Sequence, residues 1–378
     1  MNAELSNSLL QAVTHWNSER LAQEQPVMEF MGSMKYDSYD QFMPGNRFMA
    51  SLVQWLSQFE EVDKEIMYDL IKNKLIFISS TQMSYLVGLL YNTKIKPVII
   101  TQVAVRLGIE KYFVKKIEAS EDFKCQKRLS LIVGLSDGAH TDILRRTAEF
   151  SNEQVLNIYY PNDEKIDDLL KELQKDELLQ SKGRSKFETL FLVDDFTASG
   201  TSFVRLEEMG SKKEYKGKLV KVIDAIFGKE DDCSENKDNS FCRLFNLEKP
   251  LEIRIFFCIA TEYALEKIKR NIKDYLDEKN LDDKVIVIVD CVLKIEESLS
   301  ESIRNDTRLE RVLEKSNYFD SAHVMSDSYM KGKTDKPYYG FNECALPLVL
   351  SHNTPNNSLP ILWQDGTFKG LFPRISRH

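Results

Sequence analysis

The segment that most constrains the fold of this chain is Thr189–Arg205, with the sequence TLFLVDDFTASGTSFVR. Its apolar run, Leu190–Val193, predicts a buried parallel strand, because such strands carry β-forming residues on both faces. The run ends in two adjacent carboxylates, Asp194 and Asp195. A loop of small and hydroxylated residues follows, and an apolar spacing that suits a helix begins at Phe203. The segment is therefore predicted to fold as a strand, an acidic tip, a loop and a helix.

The loop after the acid pair suits an anion, because the first backbone N–H groups of a helix lack partners and lie at the positive end of its dipole. Gly200 lets the backbone close around the anion, and the neighbouring hydroxyls add donors. Two carboxylates can accept hydrogen bonds from the vicinal diol of a ribose. We therefore predict a ribose 5-phosphate site. Its residues are Asp194, Asp195, Thr197, Ala198, Ser199, Gly200, Thr201 and Ser202.

The order of apolar strand, acid pair, loop and S/T-G-T resembles the phosphoribosyl diphosphate (PRPP) signature of type I phosphoribosyltransferases. The resemblance implies that Asp194 and Asp195 are the catalytic acids that hold the ribose hydroxyls, and that residues 198–202 hold the 5′-phosphate. It also implies Mg²⁺ as cofactor, held by the acid pair directly, through water or through PRPP. Ala198 is a departure, because purine-type members often carry an acid there, although pyrimidine-type members share it. The plainer interpretation of the segment is a strand-to-helix turn capped by an aspartate.

A second loop follows another predicted strand, LSLIVG at 129–134. It is similar to the loop in which small residues of this family let backbone N–H groups face the diphosphate. Its residues are Ser136, Asp137, Gly138 and Ala139. The family usually has a basic residue where Asp137 stands, and a Mg²⁺ ion between Asp137 and the diphosphate would offset their repulsion. The alternative is a strand-end turn in which Asp137 caps the next helix.

Two further groups of residues are candidate substrate contacts. Basic residues of the linker before the central strand suit a mobile loop that closes over the diphosphate; they are Lys182, Arg184 and Lys186. Polar residues near the end of the sequence suit the recognition of a base edge or a small polar acceptor; they are His352, Asn353, Asn356 and Asn357. The alternatives are solvated loop charge for the first group and a turn with Asx hydrogen bonds for the second.

Apolar runs alternate with helical spacing in the middle of the chain, which predicts an open, mostly parallel α/β sheet flanked by helices. The predicted strands are 129–134, 155–160, 190–193, 219–227, 251–261 and 285–293. Ligands of such sheets bind beyond the carboxyl ends of the strands, where Asp137, Asp194 and Asp195 would meet. The predicted domains are an N-terminal helical subdomain (1–125), a phosphoribosyltransferase-like α/β core (126–300) and a C-terminal extension that contributes to the acceptor pocket (301–378).

The composition argues against several classes of protein. With 51 basic and 59 acidic residues the formal charge is −8, which argues against broad nucleic-acid binding. No apolar run approaches the length of a membrane span, and the first residues lack the basic start and apolar core of a signal peptide. The 6 cysteines are scattered without CxxC pairs, so we expect neither a zinc site nor a disulfide framework. These features predict a cytoplasmic protein that does not contact a membrane.

Together, the SDGA loop, the VDDFTASGTS segment and the late HNTPNNSLPILW segment resemble a bacterial branch of phosphoribosyltransferase-like proteins associated with anti-phage defence. The resemblance implies an effector that transfers ribose 5-phosphate from PRPP to a base, a nucleotide or a macromolecule. It also implies a homodimer and a protein partner encoded beside the chain. The alternative function is a non-catalytic sensor that binds PRPP or a nucleoside monophosphate and acts through that partner. A scaffold without a ligand is the third hypothesis.

Overall fold

The computed structural model describes residues 3–157, 161–209, 212–228, 240–324 and 334–375. In chain order, the α-helices are α1 (Ala3–Thr14), α2 (Ser18–Met34), α3 (Phe48–Leu56), α4 (Glu61–Asp69), α5 (Ser80–Leu90), α6 (Lys96–Leu107), α7 (Val114–Glu118), α8 (Glu121–Arg128), α9 (Thr141–Ala148), α10 (Asp163–Lys175), α11 (Glu177–Ser181), α12 (Lys218–Phe227), α13 (Glu262–Glu278), α14 (Glu297–Arg304), α15 (Thr307–Leu313) and α16 (Ser321–Val324). The strands are β1 (Ile76–Ile78), β2 (Ser130–Gly134), β3 (Val155–Leu156), β4 (Thr189–Thr197), β5 (Arg205–Met209), β6 (Lys212–Lys216), β7 (Leu251–Thr261), β8 (Val285–Ile295) and β9 (Leu348–Leu350). None of the helices in these ranges combines the length and apolarity that a membrane span needs.

The chain forms two compact units. The first combines Met1–Met83 with Glu296–His378, and the second is the continuous segment Ser84–Ile295. The predicted domain ranges, 1–125, 126–300 and 301–378, have other limits than these units, and they stay a prediction.

In the first unit, helices from both ends of the chain pack around one apolar core. The short strands β1 and β9 pair in parallel, with Ile76 opposite Leu348. Trp55 is buried in this core, and its indole N–H donates to the carbonyl oxygen of Ile361 at 3.1 Å. The two ends of the chain therefore share a single hydrophobic core.

The second unit is built on a five-stranded parallel sheet in the order β3-β2-β4-β7-β8. Strand β4 lies at the centre, between β2 and β7. Helices α10, α12 and α13 pack their apolar faces in one core with the strands, through residues such as Ile166, Ile223 and Ile268. The predicted open parallel sheet flanked by helices is confirmed. Because the strands are parallel, their carboxyl ends lie at the same edge of the sheet.

The predicted strands agree with the observed ones at most positions. Strands β2, β7 and β8 lie within or around their predicted ranges, and β7 matches its range of 251–261 residue for residue. Strand β3 covers only Val155–Leu156 of the predicted 155–160, and positions 158–160 lie outside the described residues. Strand β4 continues past the acid pair to Thr197 because the long neighbouring strand β7 pairs with it there.

The predicted strand at 219–227 is wrong, because this segment lies in helix α12. Its buried residues recur at intervals of three and four, which is the period of a helix. They are Leu219, Val220, Val222, Ile223 and Ile226. A short apolar run is ambiguous between a buried strand and a helix, and the flanking Gly217 was not enough to decide.

The predicted helix start at Phe203 is also wrong. After a turn, the chain forms the antiparallel hairpin β5–β6, and a helix begins only at Lys218. The side chains of Phe203 and Val204 are buried in the core of the second unit, so their apolar character reflects the packing of a turn. On the hairpin, Glu207 forms ion pairs with Arg205 and Lys216.

The helical assignment of 218–227 can be tested by substitution. Ile223→Ala should lower the free energy of unfolding by about 2–5 kcal/mol, because it removes a buried side chain from the core. Lys221→Ala should change it by less than about 0.5 kcal/mol, because Lys221 is on the exposed face of α12. Urea unfolding measures both. A large loss for Lys221→Ala, as expected for a central strand buried on both faces, would contradict the helix.

Candidate functional site

The predicted diphosphate loop at 136–139 meets the acid pair at the carboxyl edge of the sheet. The N–H of Leu135, just after β2, donates to the carbonyl oxygen of Val193 at 2.9 Å. The hydroxyl of Ser136 donates to Asp194 Oδ1. Gly138 packs directly on the acid pair, because a Cβ at this position would lie 2.5 Å from Asp195 Oδ2. The structure therefore brings the 136–139 loop and the acid pair together.

Asp194 and Asp195 lie inside strand β4, and both are buried, with 2% and 9% of their surface exposed. Asp194 Oδ1 accepts from Ser136 Oγ and from the N–H of Asp195, and Oδ2 accepts from Lys218 Nζ at 2.9 Å. A carboxylate has about four acceptor positions. Within the described part of the chain, Asp194 therefore keeps one acceptor position, on Oδ2.

The electrostatics of the pair follow from its burial. Loss of water and the neighbouring Asp195 carboxylate raise the pKa of Asp194, and contacts with Lys218 and Ser136 partly offset this rise. Cys258 lies on the adjacent strand β7, where burial and the two carboxylates raise the pKa of its thiol well above the usual value. This cysteine is therefore a protonated packing residue and not a nucleophile.

The loop after β4 is compact and mostly buried. Thr197, Ala198, Ser199 and Thr201 are buried, and Ser202 is exposed. A hydrogen bond connects this loop to the start of helix α13: the hydroxyl of the cap residue Thr261 donates to the carbonyl oxygen of Ala198 at 2.6 Å.

Gly200 brings this loop close to helix α13. Its φ of +68° is in the left-handed region, and a Cβ would lie 2.8 Å from Ile268 Cγ1. The loop does not run into a helix of its own. Instead, the N–H of Lys218, the first residue of α12, donates to the carbonyl oxygen of Ser202 at 3.0 Å. The ends of two other helices therefore border the predicted phosphate loop.

Two lysines absent from the predicted site lie at the acid pair and at the loop. Lys218 Nζ contacts Asp194 and lies 4.9 Å from the centroid of the Phe203 ring. Lys267, on α13, donates from Nζ to Thr201 Oγ1 at 3.2 Å. Because 219–227 was predicted as a strand, Lys218 could not be placed from sequence at the start of a helix beside the loop. No local pattern points to Lys267, which is 66 residues from Thr201 in sequence.

A family comparison covers both loops and most of the chain. The family model PRTase-CE matches residues 52–374. The chain belongs to the PRTase-CE family. This is a phosphoribosyltransferase-like family, so the predicted resemblance is confirmed and the function is phosphoribosyltransferase-like in general terms. A comparison with curated proteins and one with solved structures found no match.

The basic linker of this PRTase-CE chain lies at the other end of β4. Lys182 forms an ion pair with Glu121 at 3.5 Å, and Arg184 forms one with Glu188 at 2.5 Å. Lys186 is exposed and precedes the first residue of β4, Thr189, which lies about 16 Å from Asp194 at roughly 3.3 Å per residue. The structure does not bring these three residues to the acid pair, and their role in closing the site stays a prediction.

The polar tail of the PRTase-CE chain lies in the first unit. The side-chain amide of Asn353 donates from Nδ2 to the carbonyl oxygen of Ile375 and accepts at Oδ1 from the N–H of Ile375. Asn357 donates to the carbonyl oxygen of Phe341 at 3.1 Å. For His352 and Asn356, the backbone carbonyl oxygens accept from Gln41 and Phe341. These contacts support the alternative of a hydrogen-bonded turn, and contact with an acceptor stays a prediction.

The close approach of Gly138 to the acid pair gives a double-mutant test. Gly138→Ala should cost about 1–3 kcal/mol of unfolding free energy, because its Cβ collides with the Asp195 carboxylate. In an Asp195→Ala background the cost should nearly vanish, since the colliding atoms are gone. Gly88→Ala is the control: its Cβ meets only Thr147 Cγ2, at 3.7 Å, and should be neutral or stabilising in helix α5. Equal costs in both backgrounds would contradict the contact.

The ion pair of Lys218 gives a second test. Lys218→Met should lower the unfolding free energy by about 1–3 kcal/mol at neutral pH, because it leaves the buried Asp194 carboxylate without its counter-charge. Adding Asp194→Asn should recover part of this loss. Lys221→Met, one turn along the same helix and exposed, makes the same chemical change and should have little effect. Urea unfolding of these three variants and of Asp194→Asn alone measures the coupling; equal effects of the two lysine substitutions would exclude it.

Proposed function

We propose that this chain is a Mg²⁺-dependent phosphoribosyltransferase that binds PRPP and transfers its ribose 5-phosphate to an acceptor. The observation that carries the proposal is the meeting of three features at one edge of the sheet. The buried acid pair contacts the 136–139 loop directly, and the 197–202 loop continues from the same strand. PRPP has a diphosphate, a ribose diol and a 5′-phosphate in the same order, so one ligand suits all three.

The residues have separate roles in this proposal. The remaining acceptor position of Asp194, together with Asp195, receives the ribose hydroxyls. The hydroxyls and backbone N–H groups of 197–202 bind the 5′-phosphate. Ser136, Asp137, Gly138 and Ala139 face the diphosphate in this proposal, as the resemblance to the family's diphosphate loop implies.

The available carboxylates suit a Mg²⁺ ion whose remaining ligands come from the substrate. Among the described residues, no group of three or more His, Cys, Asp or Glu side chains is arranged to hold a metal ion. Mg²⁺ commonly takes one or two carboxylates and fills its other positions with substrate phosphates and water. Asp194, Asp195 and Asp137 can supply such carboxylates. When bound, the ion would neutralise charge on the diphosphate and so make it a better leaving group.

The reaction in this proposal is a substitution at C1 of the ribose. The acceptor's lone pair forms the new bond to C1, and the bond from C1 to the diphosphate breaks, with its electron pair leaving on the diphosphate. Positive charge that develops on the sugar ring is stabilised by the carboxylates of Asp194 and Asp195. The site also has to exclude water, because water would otherwise take the place of the acceptor.

We extend the proposal to an effector of bacterial anti-phage defence that acts on a base, a nucleotide or a macromolecule. The resemblance of the SDGA, VDDFTASGTS and HNTPNNSLPILW segments to such proteins supports it. That resemblance also supports a homodimer and a protein partner encoded beside the chain. His352, Asn353, Asn356 and Asn357 are the proposed contacts for the acceptor.

A second candidate function is a sensor that binds PRPP or a nucleoside monophosphate without turnover. It is favoured by Ala198, which is buried and offers no acid for proton transfer to a base. It is also favoured by the exposed acid Asp137 on the loop that would face the diphosphate. Such a sensor would act through its protein partner.

The decisive experiment is a calorimetric titration with PRPP and Mg²⁺. Asp194→Asn with Asp195→Asn should weaken binding at least about tenfold, because two charged acceptors are lost. The matched control is Asp282→Asn with Asp283→Asn, an adjacent and exposed acid pair that precedes β8 at the opposite edge of the sheet. The control should bind like the wild type, and chelation of Mg²⁺ by EDTA should weaken binding in both.

The outcomes separate the hypotheses. Release of diphosphate on addition of an acceptor identifies the enzyme, and binding without release for any acceptor identifies the sensor. Binding that is equal in the wild type and the Asp194/Asp195 double variant would overturn the proposed site. No binding by the wild type would favour a scaffold.

A further inference from the structure

Helix α13 and its cap residue contact the predicted 5′-phosphate loop through three residues. The hydroxyl of Thr261 donates to the carbonyl oxygen of Ala198. Ile268 packs against Gly200, and Lys267 Nζ donates to the hydroxyl of Thr201. The first two contacts fix the helix against the loop backbone. The third brings a side-chain ammonium to the loop.

The surroundings of Lys267 hold its ammonium group in place. Its side chain is half-buried, and Nζ lies 5.4 Å from the centroid of the Tyr263 ring on the same helix. An ammonium over an aromatic face is attracted by the ring, so Tyr263 helps to direct Lys267 toward the loop.

A phosphate dianion needs such a charge here. The loop's own donors, hydroxyls and backbone N–H groups, are neutral, and the nearby Asp194 and Asp195 repel an anion. A charge-assisted hydrogen bond is roughly twice as strong as a neutral one.

We propose that Lys267 is a ligand-binding residue that recognises a phosphate monoester held by the 197–202 loop. Its ammonium, oriented by Thr201 and Tyr263, donates to a phosphate oxygen. Lys267 thereby makes the site select sugars that carry a 5′-phosphate over those that lack it. This inference rests on the proposed function and deepens it, because it assigns one end of the ligand to a residue outside the sequence motif.

The test uses two fragments of PRPP as separate probes. Ribose 5-phosphate has the phosphate monoester without the diphosphate, and inorganic diphosphate has the reverse. Lys267→Met should weaken binding of ribose 5-phosphate and of PRPP by about 10–100-fold and leave diphosphate binding within about twofold of the wild type. Lys267→Arg should retain most of the affinity, since it keeps the charge.

The matched control is Lys269→Met. Lys269 is exposed on the same helix and pairs with Glu266 at 2.9 Å, so its substitution removes the same charge without touching the loop. It should bind all probes like the wild type. Thermal unfolding of each variant, expected to match that of the wild type, shows that the loss is local.

Each result bears on the inference. If the wild type binds PRPP and Lys267→Met binds ribose 5-phosphate equally well, the inference falls and the proposed function stands. A loss of equal size for diphosphate and ribose 5-phosphate also overturns it, because it indicates a general effect of charge. If the wild type binds none of the three probes, the inference and the proposed function fall together.

Discussion

The ion pair between Asp194 and Lys218 holds a buried negative charge at the centre of the parallel sheet in the second unit. Placing a carboxylate there is costly, because burial removes its hydration and Asp195 adds a like charge beside it. The surrounding elements supply the compensation. Ser136 comes from the loop after β2, Lys218 from the start of α12, and a backbone N–H from the strand itself. The site is therefore held together by elements that are far apart in sequence.

These contacts restrict the conformations of both loops. The 136–139 loop approaches so closely that only a glycine fits at position 138. The 197–202 loop is tied to α13 through Thr261 and to α12 through the N–H of Lys218. Binding groups held in place before a ligand arrives lose less entropy when it binds, which favours affinity and orientation. The rigid sheet thus serves as a support for a pre-formed polar site.

The sequence alone predicted the features of this site that are encoded locally. The run Leu190–Val193, the acid pair and the small residues after it each have a recognisable composition, and parallel strands bring their carboxyl ends to one edge by geometry. The errors lie where composition is ambiguous. The apolar run at 219–227 fits a strand or a helix, and the turn at Phe203 has the spacing of a helix start. Lys267 could not be found at all, since its contact with Thr201 depends on tertiary packing.

The hairpin β5–β6 lies between the predicted phosphate loop and α12 in sequence, but the residues just before and just after it are hydrogen-bonded to each other. The N–H of Lys218 bonds the carbonyl oxygen of Ser202, and the N–H of Leu219 bonds that of Phe203, each at 3.0 Å. The chain therefore leaves and returns at one point, while Tyr215 of β6 packs against Tyr275 of α13 in the core of the second unit. Variation in the length of the hairpin can leave these two hydrogen bonds in place, because both of its ends are fixed at the same point. Such variation would alter the chain next to the predicted phosphate loop and leave the order of the five sheet strands unchanged.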